Sequence, residues 1–246
     1  MVTVKACSLI DLGLVPYADA LALQRRLATL RTEDRLEDVL LLMEHPPVIT
    51  LGRAGQKAHL RVAESSLTAM GIEFFEVERG GDITYHGPGQ LVGYPILNLA
   101  DYGRDVHRYL RQLEEVLIMT LSDFGITAGR SIGRTGVWVG ESKIASLGIH
   151  VGRWVTCHGF ALNVNMDLSP FELIVPCGIQ DARVTSMAQG SSRPISIREV
   201  AAILTEHFEA EFGVSIVPAL LTELAGVKSR IDMSDRDEPA IVGGVQ

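Results

Sequence analysis

The chain has 246 residues, of which 47% are hydrophobic and 21% charged, and its formal net charge at pH 7 is -8. This is the composition of a globular protein with a substantial core, and it excludes a globally basic surface for nucleic acid. The three cysteines, Cys7, Cys157 and Cys177, lie far apart and form no CxxC or Cys/His finger pattern. We therefore expect free thiols in a reducing compartment, with neither a disulfide framework nor a metal site.

The N-terminal segment does not resemble a signal peptide, because residues 1–15 contain one lysine and no long apolar stretch. No apolar run elsewhere approaches the roughly 20 residues that a membrane-spanning helix needs. The sequence therefore predicts a cytoplasmic protein that does not associate with a membrane.

Hydrophobic periodicity predicts one α/β domain over residues 1–228 and a polar, disordered tail over residues 229–246. The predicted helices are residues 17–31, 63–70, 105–124, 197–212 and a short one at 218–224. The predicted strands are residues 39–43, 48–51, 72–77, 91–97, 135–139, 143–151 and 156–164. The strand 48–51 is expected to continue the sheet of the strand before it, and the last three strands to form an antiparallel meander. This order of elements predicts a mixed, partly antiparallel central sheet flanked by helices.

Residues 79–90, RGGDITYHGPGQ, carry the densest chemical signal and lie between two apolar strands. Glycine lets a backbone approach a ligand closely, so the amides of this loop suit a thioester or a carboxyl-derived head group. Arg79, Thr84, His86 and Gln90 are candidates to orient that group. The run matches neither GxGxxG nor a P-loop, so no motif supports a phosphate cradle. A tight structural turn is the alternative, and it explains Gly-Pro-Gly better than it explains the whole run.

Lys143 is a candidate base. Period two along the strand 143–151 places it on the face of Ala145, Leu147 and Ile149, where burial favours an uncharged amine. In the alternative interpretation, Lys143 lies at the start of the strand and extends its amine into water.

Cys177 is a candidate nucleophile, because Pro176 and Gly178 bracket it in a predicted loop. The alternative is a buried and inert cysteine, which is common. Cys7 and Cys157 lack this bracketed context and are expected to be structural.

The strand 156–164 carries apolar and small residues in alternation. One face is expected to hold His158, Phe160, Leu162 and Val164. Phe160 and Leu162 are candidates for the core or for a pocket wall, and the core is favoured. The opposite face holds Gly159 and Ala161, whose small side chains would leave room for an acyl chain. His158 is either a hydrogen-bonded core histidine or a catalyst.

Four segments follow one another in the order and spacing of the octanoyltransferases, the lipoyl(octanoyl)-protein transferases of lipoate biosynthesis. They are RGGDITYHGPGQLVGYPI, GESKIASLGIHV, HGFALNVN and VPCGI. The upstream EHPPVITLGR, residues 44–53, also resembles that family, and the resemblance covers roughly residues 41–187. It implies the α/β fold shared with lipoate- and biotin-protein ligases, and it makes residues 1–228 an acyltransferase catalytic domain.

The resemblance also implies the site residues. Cys177 matches the cysteine that carries the acyl-thioester intermediate, and Lys143 matches the lysine paired with it. The implied substrate-binding residues are Arg79, Gly80, Gly81, Asp82, Ile83, Thr84, Tyr85, His86, Ser146, Leu147, Gly148, Gly159, Phe160 and Ala161. The resemblance implies no metal ligand.

The implied reaction moves an octanoyl or lipoyl group from acyl carrier protein to a lysine of lipoyl domains. The implied acceptors are lipoyl domains of 2-oxoacid dehydrogenase complexes and the glycine cleavage H protein. Thioester exchange is nearly isoenergetic and aminolysis runs downhill, so neither ATP nor another cofactor is expected. The alternatives are an ATP-dependent lipoate-protein ligase on the same fold, a thioesterase and a catalytically silent lipoyl-domain-binding module. The presence of Cys177 and the absence of a basic GRGRRG-like run favour the transferase over the ligase.

Docking of acidic partners on a net acidic chain requires local basic patches. Arg104, Arg108 and Arg111 have the spacing of one helical face, for which a solvated surface is the alternative. A second basic cluster consists of Arg53, Lys57 and Arg61.

Overall fold

The computed structural model describes residues 4–175, 183–191 and 193–224. The strands are β1 Lys5–Leu14, β2 Asp38–Glu44, β3 Val48–Leu51, β4 Glu73–Glu76, β5 Ile83–His86, β6 Gln90–Ile96, β7 Gly129–Ser131, β8 Arg134–Val139, β9 Ser142–Gly152, β10 Val155–Asn163, β11 Arg183–Val184 and β12 Val214–Pro218. The helices are α1 Tyr17–Thr32, α2 Glu64–Ala69, α3 Val106–Asp123, α4 Met187–Gly190 and α5 Ile197–Phe212. In this part of the chain no helix is long and apolar enough to cross a membrane.

Nine of these strands form one mixed sheet in the order β12-β1-β2-β6-β10-β9-β8-β7, with β11 beside β9. β1 pairs in parallel with both β2 and β12. The run from β2 to β7 is antiparallel throughout. The predicted mixed sheet and its β8–β9–β10 meander are confirmed.

β3 lies outside the main sheet, in a second sheet of order β4-β3-β5. The prediction that residues 48–51 continue the first sheet is therefore wrong. Pro46 and Pro47 separate β3 from β2, and proline neither donates to a strand ladder nor leaves its preceding residue unrestricted. The chain consequently turns out of the main sheet. β5, which comes from the glycine-rich run 79–90, completes the small sheet by pairing antiparallel with β3.

Helices cover both faces of the main sheet, as predicted. α3 and α5 pack together on one face, where Leu117 and Phe208 are fully buried. α1 covers the other face through residues such as Leu27. Side chains cap the starts of α3 and α5: the Asp105 carboxylate accepts the backbone N–H of Arg108, and the Ser196 hydroxyl accepts that of Glu199. The sheets and the α1 face bring residues from distant parts of the sequence together around one pocket.

The end of the predicted domain differs from the prediction, which placed a short helix at 218–224 and no strand before it. Residues 218–224 contain only a 3-10 turn, Leu221–Glu223, and β12 lies before it. The predicted tail at 229–246 lies outside the described residues. The division of the chain at residue 228 stays a prediction.

Candidate active site

A pocket opens at the edge where the loop 79–82 and β5 meet β9 and β10, with α1 and β6 behind it. Its wall is mostly apolar, and it holds about 500 Å³ of empty space, counting its mouth. A mostly apolar wall with a few polar groups is typical of small-molecule sites.

Most residues expected to bind substrate line this pocket. They are Arg79, Gly81, Asp82, Ile83, Thr84, His86, Ser146, Leu147, Gly148, Gly159, Phe160 and Ala161. Lys143 lines it as well. The structure thus brings together three stretches of the sequence, which begin at Arg79, Lys143 and Gly159.

Gly80 and Tyr85, also expected at the site, have other surroundings. The Gly80 N–H donates to the Ile149 carbonyl at 2.8 Å, which ties the loop to β9. The Tyr85 ring packs edge-to-face on Phe171 at 5.7 Å, in the core of the small sheet. Gly80 therefore holds the loop 79–82 against β9, and Tyr85 holds β5 in the core of the small sheet.

Arg79 is buried and bonded to the protein's own backbone. Its Nη2 donates to the Thr50 carbonyl at 2.7 Å and to Thr50 Oγ1 at 2.8 Å, and its Nη1 donates to the Gly80 carbonyl at 3.1 Å. A rigid guanidinium that bridges β3 and the loop fixes the loop's position at the pocket.

Two glycines of the site permit close backbone approach. A Cβ at Gly148 would lie 2.8 Å from the Gly80 carbonyl oxygen, and a Cβ at Gly159 would lie 2.2 Å from the Gly93 carbonyl oxygen. The space beside Gly159 is therefore filled by β6 rather than left for an acyl chain. The expected reason for a small residue at 159 is wrong, although Gly159 does line the pocket.

Lys143 is only 6% exposed, so its amine does not extend into water. Its Nζ lies 5.2 Å from the centroid of the Trp138 ring. Ser142 and Lys143 pair with Arg183 and Val184 of β11, and the Lys143 carbonyl accepts the Thr185 N–H at 2.9 Å. The residues just after the 176–182 segment are thus joined to the lysine's own strand.

His86 is held neutral with a defined tautomer. Its Nδ1 lies 2.7 Å from Gln90 Oε1, while Gln90 Nε2 donates to Asn163 Oδ1 at 2.9 Å. Since the Gln90 oxygen accepts, His86 Nδ1 carries the proton and Nε2 holds the lone pair. Burial lowers the pKa of His86 to about 3, so the ring is uncharged at neutral pH.

Tyr17 and His158 place buried polar atoms beside the pocket. The Tyr17 hydroxyl and His158 Nε2 make no hydrogen bond with any residue that the structure describes, and His158 Nε2 lies 4.0 Å from Glu78 Oε1. Burial raises the pKa of Tyr17 to about 12 and lowers that of His158 to about 4, which leaves both groups neutral at pH 7. Buried polar atoms are nearly always satisfied, so a water molecule or a substrate atom is the natural partner for each.

The sequence interpretation missed Tyr17 and Tyr94 at the pocket. Tyr17 is the first residue of α1, and Tyr94 lies in β6, where its hydroxyl donates to His45 Nε2 at 2.8 Å. Neither tyrosine belongs to a polar motif, so only the fold could reveal them. Within residues 4–175, 183–191 and 193–224, no three acidic, histidine or cysteine side chains are grouped to hold a metal ion.

Cys177, the expected nucleophile, lies outside the described residues. The other two cysteines are buried and unpaired by disulfides. Burial raises the pKa of the Cys157 thiol to about 12 and that of the Cys7 thiol still further. Neither buried thiol lies among the residues that line the pocket.

The lipoyl protein ligase A/B catalytic domain family matches residues 16–209. The octanoyltransferase of Solibacter usitatus (strain Ellin6076) is 53% identical over 214 residues, which cover 87% of this chain and 96% of that protein. The octanoyltransferase of Gloeobacter violaceus is 50% identical over 223 residues, or 90% of this chain and 97% of that protein.

Solved structures show the same fold at low identity. A lipoate-protein ligase A bound with ATP superposes with a TM-score of 0.72 at 19% identity, covering 90% of each chain. The biotin protein ligase from Aquifex aeolicus, in complex with biotin and ATP, has a TM-score of 0.53 at 15% identity, covering 83% of this chain and 70% of that one. By its domain and its relatives, the chain belongs to the octanoyltransferases of the lipoyl protein ligase A/B catalytic domain family.

Proposed function

We propose that this chain transfers an octanoyl group from acyl carrier protein to a lysine of lipoyl domains, through an acyl thioester on Cys177. One observation carries the proposal: the buried Lys143 lines an apolar pocket and is joined by its strand to the chain segment that follows residue 182. Lipoyl or octanoyl cargo suits a mostly apolar wall.

The chain on the other side of Cys177 is also attached near the pocket. The Val175 N–H donates to the His59 carbonyl at 2.7 Å, and His59 Nδ1 lies 2.6 Å from Asp82 Oδ2. Asp82 lines the pocket. The described residues before and after the 176–182 segment are therefore both bound to pocket elements, which supports Cys177 as the acyl carrier.

In the first half-reaction, Lys143 takes the thiol proton of Cys177, so that an ammonium stands beside a thiolate. The thiolate attacks the carbonyl carbon of the donor thioester, and backbone amides of the loop 79–82 are the candidates to stabilise the oxyanion. Collapse breaks the carbon–sulfur bond to phosphopantetheine. The departing thiolate takes the proton from Lys143, which leaves acyl-Cys177, a pantetheine thiol and a neutral amine.

In the second half-reaction, the uncharged lysine amine of the acceptor attacks the Cys177 thioester. A carbon–nitrogen bond forms, the carbon–sulfur bond to Cys177 breaks, and Cys177 leaves as a thiolate. The proton lost by the acceptor nitrogen passes to Lys143, which restores the ion pair. All atoms and charges balance without ATP.

The acceptors under this proposal are lipoyl domains of 2-oxoacid dehydrogenase complexes and the glycine cleavage H protein. The cytoplasmic location expected from the sequence stays a prediction. An ATP-dependent ligase is the competing function, because structures of the same fold hold ATP. The absence of the basic GRGRRG-like run in the sequence favours the transferase.

The test is intact-protein mass spectrometry after incubation with octanoyl-acyl carrier protein in the absence of ATP. Wild type, Cys177→Ser and Cys157→Ser are compared, the last being a matched control because the Cys157 thiol is buried. We expect one octanoyl adduct on wild type and on Cys157→Ser, none on Cys177→Ser, and discharge of the adduct by an apo lipoyl domain.

Two results would overturn the proposal. One is no adduct on wild type while ATP and free octanoate still support lipoyl-domain modification, which identifies a ligase. The other is release of free octanoate from the adduct with no transfer to the lipoyl domain, which identifies a thioesterase.

A further inference from the structure

Lys143 contacts two residues of the neighbouring strand β8 that no motif of the site includes. Trp138 is its register partner, and Lys143 Nζ lies 5.2 Å from the centroid of the Trp138 ring. Both side chains are buried, with 3% of Trp138 and 6% of Lys143 exposed. An ammonium within about 6 Å of an indole face is stabilised by the ring, most strongly where water is excluded.

Gly136 makes room for the lysine arm. It has a φ of +127°, and a Cβ at this position would lie 2.6 Å from Lys143 Cε and 3.2 Å from Nζ. Any side chain at 136 would therefore displace the amine. Gly136 and Trp138 lie two residues apart on β8, so together they define the place that Lys143 occupies.

A buried carboxylate fixes the β8 backbone at this point. The Gly136 N–H donates to Glu114 Oε1 at 3.1 Å, and Glu114 is 1% exposed. Arg111 and Arg130 pair with the other carboxylate oxygen at 2.6 and 3.0 Å. The ion-paired carboxylate on α3 therefore fixes the β8 backbone at Gly136, the residue that the Lys143 side chain packs against.

Core filling alone does not explain a tryptophan at 138. Its Nε1 is buried and forms no hydrogen bond within the described ranges, which is unfavourable for an indole. Phenylalanine or leucine would fill the core without that unpaired donor. Two cations lie over this ring instead: Arg134 Cζ is 5.4 Å from its centroid, and Lys143 Nζ is 5.2 Å from it. Of the two, Lys143 lines the pocket and is buried.

We propose that Trp138 and Gly136 are positioning residues for acyl transfer: the Trp138 face holds the Lys143 ammonium, and Gly136 leaves space for its arm. This inference rests on the proposed function. In the first half-reaction, Lys143 takes the thiol proton of Cys177 and later gives it to the departing pantetheine thiolate. The inference adds that the indole of Trp138 stabilises the Lys143 ammonium between these two proton transfers.

The contact is tested first without any acyl donor, by a double-mutant cycle of Trp138→Leu and Lys143→Met in urea unfolding. Methionine keeps the apolar arm of the lysine and removes the ammonium. If the ring holds the ammonium, the effects of the two substitutions on the unfolding equilibrium constant should be non-additive by about three- to tenfold. The cycle separates this pair from the contact of Arg134 with the same ring.

Two matched cycles control for packing. Trp138→Phe keeps a ring face, so its effect should be close to additive with that of Lys143→Met. Trp154→Leu removes the other, exposed tryptophan and should also be additive with Lys143→Met. Additive effects of Trp138→Leu and Lys143→Met, or the same coupling with Trp138→Phe, would overturn the proposed contact.

The positioning role is then measured as the rate of Cys177 acylation by octanoyl-acyl carrier protein. We expect Trp138→Leu and Gly136→Ala to lower kcat at least tenfold with less than a threefold change in KM, and Trp138→Phe to recover most of the rate. Folded variants that acylate at the wild-type rate would refute positioning. A wild type that forms no adduct would refute the proposed function instead, and the result of the double-mutant cycle would stand apart from it.

Discussion

Arg79 illustrates how a charged residue in a binding motif can act on the protein instead of on a ligand. Its guanidinium bonds to the backbone and hydroxyl of Thr50 and to the carbonyl of Gly80. The planar fork matches these acceptors in a way that the point charge of a lysine does not. The position of the loop 79–82 at the pocket therefore depends on the shape of this side chain as much as on its charge.

Replacing Arg79 with lysine should destabilise the fold and slow acyl transfer. We expect a loss of about 1–3 kcal/mol in the free energy of unfolding, because buried acceptors lose their donors. Displacement of the loop should slow Cys177 acylation by about 10- to 100-fold. Urea unfolding and single-turnover kinetics measure the two effects.

Arg25→Lys is the control for Arg79→Lys. Arg25 pairs with Glu78 on the surface, with 58% of its side chain exposed, so its replacement should cost less than about 1 kcal/mol. Equal losses for the two variants would show that charge, and not the guanidinium geometry, holds the loop.

Sequence analysis identified those residues of the pocket wall that lie in continuous motifs. It could not identify residues that reach the pocket alone, from elements that carry no motif. Tyr17 and Tyr94 come from the start of α1 and the middle of β6 and reach the pocket only through the fold. Trp138 was seen only as part of a predicted strand. Its relation to Lys143 depends on a register shift between β8 and β9, which no local pattern encodes.

At the scale of elements, the helices and strands that could be predicted were those whose ends are marked by capping or turn residues in the sequence. Residues 197–212 are helical as predicted, because Ser196 caps the first turn and Gly213 ends the helix in a left-handed conformation. β5 lies inside a glycine-rich run and is a strand only because β3 pairs with it. β1 and β12 were not predicted. Their side chains do not alternate regularly between buried and exposed, so the sequence lacks a strand pattern there, and the two strands pair across distant parts of the chain.

The contact of β6 with β10 should be intolerant of a single added methyl group. In Gly159→Ala, the new Cβ would lie 2.2 Å from the Gly93 carbonyl oxygen and 2.7 Å from Pro95 Cδ, so the two strands must separate. We expect a loss of about 1–3 kcal/mol in the free energy of unfolding, measured by urea denaturation.

Gly129→Ala is the matched control for Gly159→Ala, because nothing lies within 4 Å of a Cβ at Gly129. It should change the stability by less than about 1 kcal/mol. If Gly159→Ala were as stable as this control, the close approach of β6 and β10 would not be the reason for a glycine at position 159.

At the scale of the whole molecule, the buried histidines should make stability depend on acid. Burial lowers the pKa of His45 to about 4, His86 to about 3 and His158 to about 4, against an ordinary value of 6.5. Between these values the unfolded chain binds protons that the folded chain does not, so the free energy of unfolding falls as the pH drops below 6.5. Each histidine should contribute a loss on the order of 1–2 kcal/mol between pH 7.5 and pH 5.

Urea unfolding at several pH values measures this loss. His45→Gln should show a shallower dependence on pH than wild type, whereas Met119→Gln, at an exposed site on α3, should keep the wild-type slope. A His45→Gln variant with an unchanged slope would contradict the assignment to the buried histidines.

The surface charge near the pocket makes a prediction about docking of acyl carrier protein. Arg53 is exposed, and its N–H bonds to the Arg79 carbonyl next to the pocket, while Arg111 is ion-paired with the buried Glu114. Lys57 is ion-paired too, with Glu76 at 2.7 Å, so position and not pairing distinguishes the two basic clusters. The cluster with Arg53 is bonded to the pocket loop and is therefore better placed to meet an acidic donor. Arg53→Glu should raise the KM for octanoyl-acyl carrier protein several-fold, with a smaller effect at high salt.

Arg108→Glu, on the exposed face of α3, is the control for the docking prediction and should leave this KM within twofold of wild type. Steady-state kinetics at two salt concentrations distinguish the variants. A larger effect from Arg108→Glu than from Arg53→Glu would assign docking to the α3 cluster.

The parallel pairing of β1 with β12 has a consequence for the time course of folding. It joins Lys5 to Val214, so this edge of the sheet cannot close until nearly all of the described chain has been synthesised. Contacts between such distant residues form slowly, because a long loop must first be ordered. β2 and β6 separate this edge from β10 and the pocket. A newly made chain should therefore assemble its pocket wall early, while the outer edge of β1 stays open to aggregation until its C-terminal partner arrives.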